Sequence, residues 1–296
     1  MIEGVTGGRR AHFLAAVAVA AAALLAGGCG ERGEPTGAQT DVYPITIDGD
    51  NDRPVTIAAP ARRIALLDRS LESLIVTLGA DERLAGIPVS NTGDLRTSAL
   101  SALHTDLVVA SSSVGEGVLS QAAAVSGAPV YVMPDTSIRE VERAIGQLGL
   151  ITAEPVAARR LVHAIEVRRR AVSGRVGGVL RTTVFVDLGH FAGASDQTLV
   201  GDMVREARGR NVVPRGASAG RVGLDELLRT DPDVYIATSA SGTTLRDLRR
   251  DARTRRLTAV RRGRVVVVDN RLLEPGPAIA KGLEKLARAL HPDRVE

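Results

Sequence analysis

Tryptophan is absent from this chain, and Phe and Tyr make up an aromatic fraction of only 2%. A site built here must hold its ligand with few aromatic surfaces. Lysine is scarce too: Lys281 and Lys285 are the only two among 38 basic residues. The formal net charge of +4 is therefore arginine charge, and it alternates with Asp and Glu. No aromatic-interleaved basic patch and no zinc-finger spacing accompanies it, so nucleic acid is not expected as a partner. No P-loop and no G-x-G-x-x-G after a strand is present. No paired His, Asp or Glu at ligand spacing points to a bare metal ion. Cysteine occurs once, and an unpaired Cys in a secreted chain needs its own explanation.

That explanation lies at the N-terminus. Arg9, Arg10 and His12 precede an apolar run from Phe13 to Ala26, too short to span a bilayer, followed by small residues. This is the layout of a secretory signal. Leu25-Ala26-Gly27-Gly28-Cys29 resembles the bacterial lipobox, which predicts a signal peptide over 1–28 and a lipidated Cys29. Arg9-Arg10 is also compatible with twin-arginine export, although Phe13-Leu14 falls one residue late. Residues 29–42 are rich in Gly, Pro, Glu and Gln without apolar periodicity, as expected of a tether. No second run is long enough to cross a membrane, so the chain is expected to be anchored at the extracytoplasmic face and not to span.

The rest has room for about two domains. Ile45 to Ile47 and Val55 to Ile57 flank a turn-rich loop and predict a hairpin. Strands are predicted from Ile64 to Leu67, Leu84 to Ile87, Leu107 to Val109 and Val130 to Val132. Helices fall between them, the first capped by Ser70 and closed by Gly79. Helical spacing then runs from Ser137 to Ser173, with Pro155 near the start of its second piece. A helix of about twenty residues spans about 30 Å, enough to connect two small domains. The pattern resumes with strands Thr183 to Val186, Asn211 to Val213, Val234 to Ile236 and Val265 to Val268, and a last helix from Ala278 to Leu290. Strands alternating with helices argue for parallel sheets. The expected architecture is α/β: two small lobes with parallel-type sheets over 43–136 and 179–296, a helical linker over 137–178, and a ligand cleft between the lobes.

The order of these segments resembles the solute-binding lipoproteins of bacterial ABC importers for siderophores, haem and cobalamin. Arg63-Ile64 through Gly79-Ala80 looks like the family's opening strand and helix, and Asp106-Leu107-Val108-Val109-Ala110 like its next strand signature. Thr198-Leu199-Val200-Gly201-Asp202-Met203-Val204, Asp231-Pro232-Asp233-Val234-Tyr235-Ile236 and Ala259-Val260-Arg261-Arg262-Gly263-Arg264-Val265 resemble elements of its second lobe. The resemblance implies a monomeric, non-enzymatic binder with no resident cofactor, whose cargo is an iron-siderophore complex, or alternatively haem or another metal chelate. It implies an ABC permease as partner, a cleft that closes only slightly, and a docking carboxylate on each lobe at Glu72 and Asp225. Cobalamin is disfavoured, because Ser218-Ala219 stands where an aromatic is common.

Ligands of open α/β sheets bind outside the carboxyl ends of the strands. That rule selects Asp68, Arg69, Ser70, Ser90, Asn91, Ser112 and Asp135 in the first lobe, and His190, Phe191, Thr238, Ser239 and Arg271 in the second, with Arg221 as a further candidate. Arginine suits an anionic chelate through its planar fork. A rival reading comes from Gly216-Ala217-Ser218-Ala219-Gly220, which fits a nucleophile elbow, with Asp233 or Asp269 and then His291 in the order of an α/β-hydrolase esterase. The elbow needs a core strand ending at the Ser and a helix starting there. Pro214-Arg215 before it and Arg221-Val222-Gly223 after it speak against both.

Overall fold

In the computed structural model, which describes residues 43–50, 54–213 and 223–295, the chain enters through an antiparallel hairpin of β1 (Ile45–Asp48) and β2 (Pro54–Ile57). The leader, the tether, Cys29, Ser218 and Arg221 lie outside the described residues. The first sheet is built from β3 (Ile64–Leu66), β4 (Leu84–Gly86), β5 (Leu107–Ser111) and β6 (Val130–Met133), with α1 (Glu72–Thr77), α2 (Thr97–Ala102) and α3 (Glu116–Ser126) between them. All of its pairings are parallel, in the order β4-β3-β5-β6.

The second sheet repeats the plan. It holds β7 (Thr182–Asp187), β8 (Gly209–Asn211), β9 (Val234–Thr238) and β10 (Val265–Val268), again wholly parallel, in the order β8-β7-β9-β10. Its helices are α6 (Leu199–Glu206), α7 (Leu224–Thr230), α8 (Leu245–Arg250), α9 (Thr258–Arg261) and α10 (Ile279–Leu290). Each sheet thus runs second, first, third, fourth strand, and the chain order reverses between the first and third. The crevice at that reversal is where open α/β sheets take ligands.

The helical stretch expected between Ser137 and Ser173 comprises α4 (Ile138–Ile151) and α5 (Pro155–Val176). Ala153 at φ 56° breaks the path and Pro155 restarts it. The long connector is α5, whose 22 residues span about 33 Å. Two further expectations shift. The first helix is preceded by a short 3-10 turn capped not by Ser70 but by Asp68, whose side chain accepts from Ser70 N. The short strand of the second sheet lies two residues earlier than the Val212-Val213 run suggests, pairing Gly209, Arg210 and Asn211 with Thr182, Thr183 and Val184. Gly209 allows this because a Cβ there would sit 2.7 Å from Val204 and 2.9 Å from Leu290.

Successive strand residues point to opposite faces. Leu107 and Val109 of β5 face an apolar core shared with α4, α5, α6 and α10, as do Val234 and Ile236 of β9. Val108 and Ala110 face α2 and α3 instead, and Tyr235 and Ala237 face α7, α8 and α9. The shared core makes the waist stiff. Ile138 N, at the start of α4, donates to Asp202 of α6 at 2.8 Å, and Arg169 of α5 reaches Glu142 of α4 at 2.8 Å and Glu206 of α6 at 3.8 Å. Gly282 lets α10 close on this waist, since a Cβ there would lie 1.8 Å from the Leu272 carbonyl. Residues 43–296 thus form one compact unit with its own cores.

Candidate functional site between the lobes

In the first lobe, Asp68 follows β3 and is held on both oxygens. One accepts Ser70 N at 2.8 Å and the other accepts the Ser111 hydroxyl from the end of β5. Ser111 in turn shares a hydrogen bond with Ser113 at 2.7 Å. The neighbouring Ser112 donates its hydroxyl to Asp135, two residues beyond β6. Burial is the main cause holding the Asp135 carboxyl above its usual range; the Ser112 bonds oppose it, and the charges of Asp50 and Asp68 add to it. Three consecutive serines at one strand end therefore carry a carboxylate on either side.

The second lobe places its carboxylate deeper. Asp187, the last residue of β7, is 0% exposed. It accepts Gly189 N at 2.9 Å, Tyr235 OH at 2.8 Å and the Thr243 hydroxyl at 3.0 Å, three neutral donors. Burial first, then the charge of Asp187, pushes the Tyr235 phenol far up, so it remains a donor. Above this carboxylate the chain folds back: Leu188 N bonds Ala192 O at 2.7 Å and Ala192 N bonds Gly189 O at 2.8 Å. The two residues at the tip are His190 at φ 50° and Phe191 at φ 59°. A tight turn with two positive φ values normally uses Asn-Gly. A bulky pair held there is strained backbone, of the kind that collects at ligand sites.

Between the lobes lies a groove of about 940 Å³. Asp68, Arg69, Ser70 and Glu72 line one side, and Asp269, Arg271 and Glu274 the other. The walls nearly touch at one edge, where a Cβ on Gly276 would sit 3.4 Å from Ser73 Oγ. The volume is that of a pocket for a drug-sized ligand. Arg271 is not free, because its guanidinium clasps Asp269 through contacts of 2.6 and 3.2 Å. The Arg271 hydrogen bond holds the Asp269 carboxyl below its usual range.

The structure therefore brings Asp68, Arg69, Ser70, Glu72 and Arg271 together, with Ser112 paired to Asp135 next to Ser111 at the end of β5. His190 is exposed on its turn, while Phe191 is half-buried and borders a smaller hollow of about 360 Å³ with Ser241 and Thr243. Thr238 points inward, donating to the Asp187 main-chain oxygen at 3.0 Å. Ser239 bonds the Asn270 side chain at 2.6 Å. Ser90 and Asn91 stand at the tip of a loop closed by a Val89–Leu95 bridge, and the Ser90 hydroxyl is shared with Thr92 at 2.7 Å. Asp225 is 91% exposed at its side chain and ion-paired to Arg253. Of the proposed hydrolase partners, His291 Nε2 lies 3.3 Å from the Arg208 carbonyl, Asp233 bonds Thr183, and Asp269 holds Arg271. Neither aspartate bonds the histidine. Asp187 and Thr243 escaped the sequence reading; the available signal was an Asp closing an apolar strand before a Gly. No group of three or more His, Cys, Asp or Glu able to hold a metal ion occurs among the described residues.

Residues 73–272 match the family model described as "Periplasmic binding protein", and the chain belongs to that family. It is 22% identical to the uncharacterized ABC transporter substrate-binding lipoprotein YvrC of Bacillus subtilis (strain 168), over 96% of this chain and 98% of that one. Its fold is similar to a crystal structure of an ABC-type Fe3+-hydroxamate transport system from Saccharomonospora viridis, with TM-score 0.69 and 21% identity over 83% of this chain and 99% of that one. It is likewise similar to the molybdate-bound periplasmic protein MolA of Haemophilus influenzae, with TM-score 0.72 and 18% identity over 84% and 92%.

Proposed function

We propose that this chain is the extracytoplasmic solute-binding protein of an ABC importer, lipid-anchored at Cys29, and that it captures an iron-siderophore complex between its lobes. The observation that carries the reading is the pair of parallel sheets of identical strand order with the groove of about 940 Å³ between the lobes, lined from both sides. The relatives support the transport role: one is named as an ABC transporter substrate-binding lipoprotein and one as part of an Fe3+-hydroxamate system. No helix among the described residues is long and apolar enough to cross a membrane, and a lipid at Cys29 supplies the attachment.

The charges refine the cargo. Asp68, Glu72 and the Asp135–Ser112 pair are acidic or hydroxyl-rich, and Arg271 already has Asp269 as partner. A neutral or cationic hydroxamate-type chelate suits such walls better than a multiply anionic catecholate. Haem is the second reading, favoured by the exposed His190 on its strained turn beside Phe191. Glu72 and Asp225 would meet arginines of the permease, with Asp225 exchanging Arg253 for the partner. The test is a thermal-shift screen of residues 43–296 against ferric hydroxamates, ferric catecholates, haem, cobalamin and molybdate. A ligand that binds only the folded state raises Tm with its concentration over Kd. A shift with ferric hydroxamates is expected; a shift with molybdate in place of every iron chelate overturns the ligand class.

A further inference from the structure

The basic charge of this chain is densest in one stretch of the second lobe. Residues 245–264 hold nine arginines and two aspartates. Arg253 is paired with Asp225, Arg262 approaches Asp233 at 3.6 Å, and Arg264 donates to the Leu290 carbonyl at 2.9 Å. Arg255, Arg256 and Arg261 are exposed, and the charge of Arg255 acts on the Asp251 carboxyl. The topology places this stretch. It begins with α8 and its Asp251 and Thr254 still border the hollow beside Phe191, but its last part, 257–264, is stitched to the start of β9: Ala259 N bonds Pro232 O at 3.2 Å and Thr258 N bonds Asp231 at 2.7 Å. In a parallel sheet the start of β9 and β10 is the amino end of the strands, so Arg261, Arg262 and Arg264 stand at the pole opposite the cleft. Beside it, between β10 and α10, is a hollow of about 320 Å³ lined by Arg264, Lys285 and Arg288, the last of them 3.9 Å from Glu284. One of the chain's two lysines thus joins the arginines at this hollow.

From this surface we infer that the outer pole of the second lobe docks on a bilayer of anionic phospholipids. Guanidinium groups pair with phosphate oxygens through their planar fork, and the hollow next to them offers a cationic seat for a headgroup. Among the described residues no exposed large hydrophobic is aromatic, so the proposed contact is electrostatic and not an insertion. Docked this way, the protein holds its cleft away from the membrane and open to solute. Engaging a permease through the cleft side then requires release from the lipid.

Sedimentation of residues 43–296 with vesicles of phosphatidylcholine, and of phosphatidylcholine with phosphatidylglycerol at roughly 7:3, tests this directly, because each exposed basic residue near an anionic surface adds about fivefold to binding. Binding to the mixed vesicles alone is expected, and it should fade between roughly 50 and 500 mM salt as screening shortens. The triple variant R255A/R256A/R261A should lose on the order of 100-fold. R255K/R256K/R261K should keep affinity within a few-fold, and R159A/R160A on α5 should change little. Equal binding to neutral vesicles, no binding to either, or an unaltered triple alanine variant overturns the inference. So does tighter binding to a DNA duplex than to the mixed vesicles, which would make the pole a nucleic-acid surface. None of these results depends on which solute the cleft holds.

Discussion

Each lobe carries an aspartate at the carboxyl end of its first strand that accepts a main-chain N–H two residues on, Ser70 N for Asp68 and Gly189 N for Asp187. The likeness ends there. Asp68 is half-buried, lines the groove and takes one further bond, from the Ser111 hydroxyl. Asp187 is fully buried and ties β7 to Tyr235 of β9 and to Thr243 before α8. One fold plan has thus been used twice, once to present a carboxylate and once to internalise it. The internal carboxylate is part of what keeps His190 and Phe191 in a backbone conformation they would not choose.

The sharpest way to break this contrast is to remove both carboxylates. Asp187→Ala leaves a buried phenol, a hydroxyl and an amide without their acceptor, and should cost about 3 kcal/mol, lowering Tm by roughly 6–12 °C. Asp68→Ala loses bonds at a site that water reaches and should cost about 1 kcal/mol, while weakening capture of the chelate. Urea unfolding of the two variants beside a ligand titration separates the roles. Equal losses of stability would mean that the lobes use their aspartates alike.

The two lobes were legible to different depths in the sequence. Strand positions held where the strand is a short apolar run covered on both faces, as at Leu107 to Ala110 and Val234 to Ala237, and slipped by two residues at Gly209 to Asn211, which is not apolar. The groove residues Asp68, Arg69 and Arg271 could be selected because the parallel topology sends strand ends to the ligand. What could not be read is which side chains turn inward. Thr238 and Ser239 are neighbours in sequence, yet the first is buried on the Asp187 main chain and the second is exposed on Asn270. The Arg271–Asp269 clasp was hidden for a related reason: an arginine two residues from an acid can reach it or point away, and only the turn after β10 decides.

A smaller effect should appear at the strained turn that only the second lobe has. His190→Gly relieves a positive φ at an exposed position and should stabilise the protein by roughly 0.5–1 kcal/mol, the strain recovered less the entropy that glycine adds to the unfolded chain. If the imidazole faces cargo, the same change lowers affinity even as Tm rises. Higher stability with unchanged affinity for every chelate would remove His190 from the ligand site and leave the turn a purely structural feature.

The smallest effects should separate the lobes by sign. Beyond the fourth strand of each sheet stands an aspartate, Asp135 after β6 and Asp269 after β10, and they titrate in opposite directions. Burial raises Asp135 above its reference of 3.8, so the folded state binds the proton more tightly than the unfolded chain does. Its contribution to stability is therefore lost as pH rises from 3.8 through the folded value. The Arg271 hydrogen bond lowers Asp269 below 3.8, and its contribution is present above that value and lost as pH falls through the folded one. Melting curves of Asp135→Asn and Asp269→Asn should accordingly diverge from wild type in opposite senses. As pH increases, Asp135→Asn gains on wild type over the window above 3.8, and Asp269→Asn falls behind it over the window below 3.8. Asp269 is 38% exposed at its side chain and Asp135 is buried, so solvent screening makes the Asp269 curve the shallower of the two, and raising the salt concentration should flatten it first. Parallel curves for the two variants would show that the two strand-end aspartates are electrostatically equivalent and would undo the contrast between the lobes.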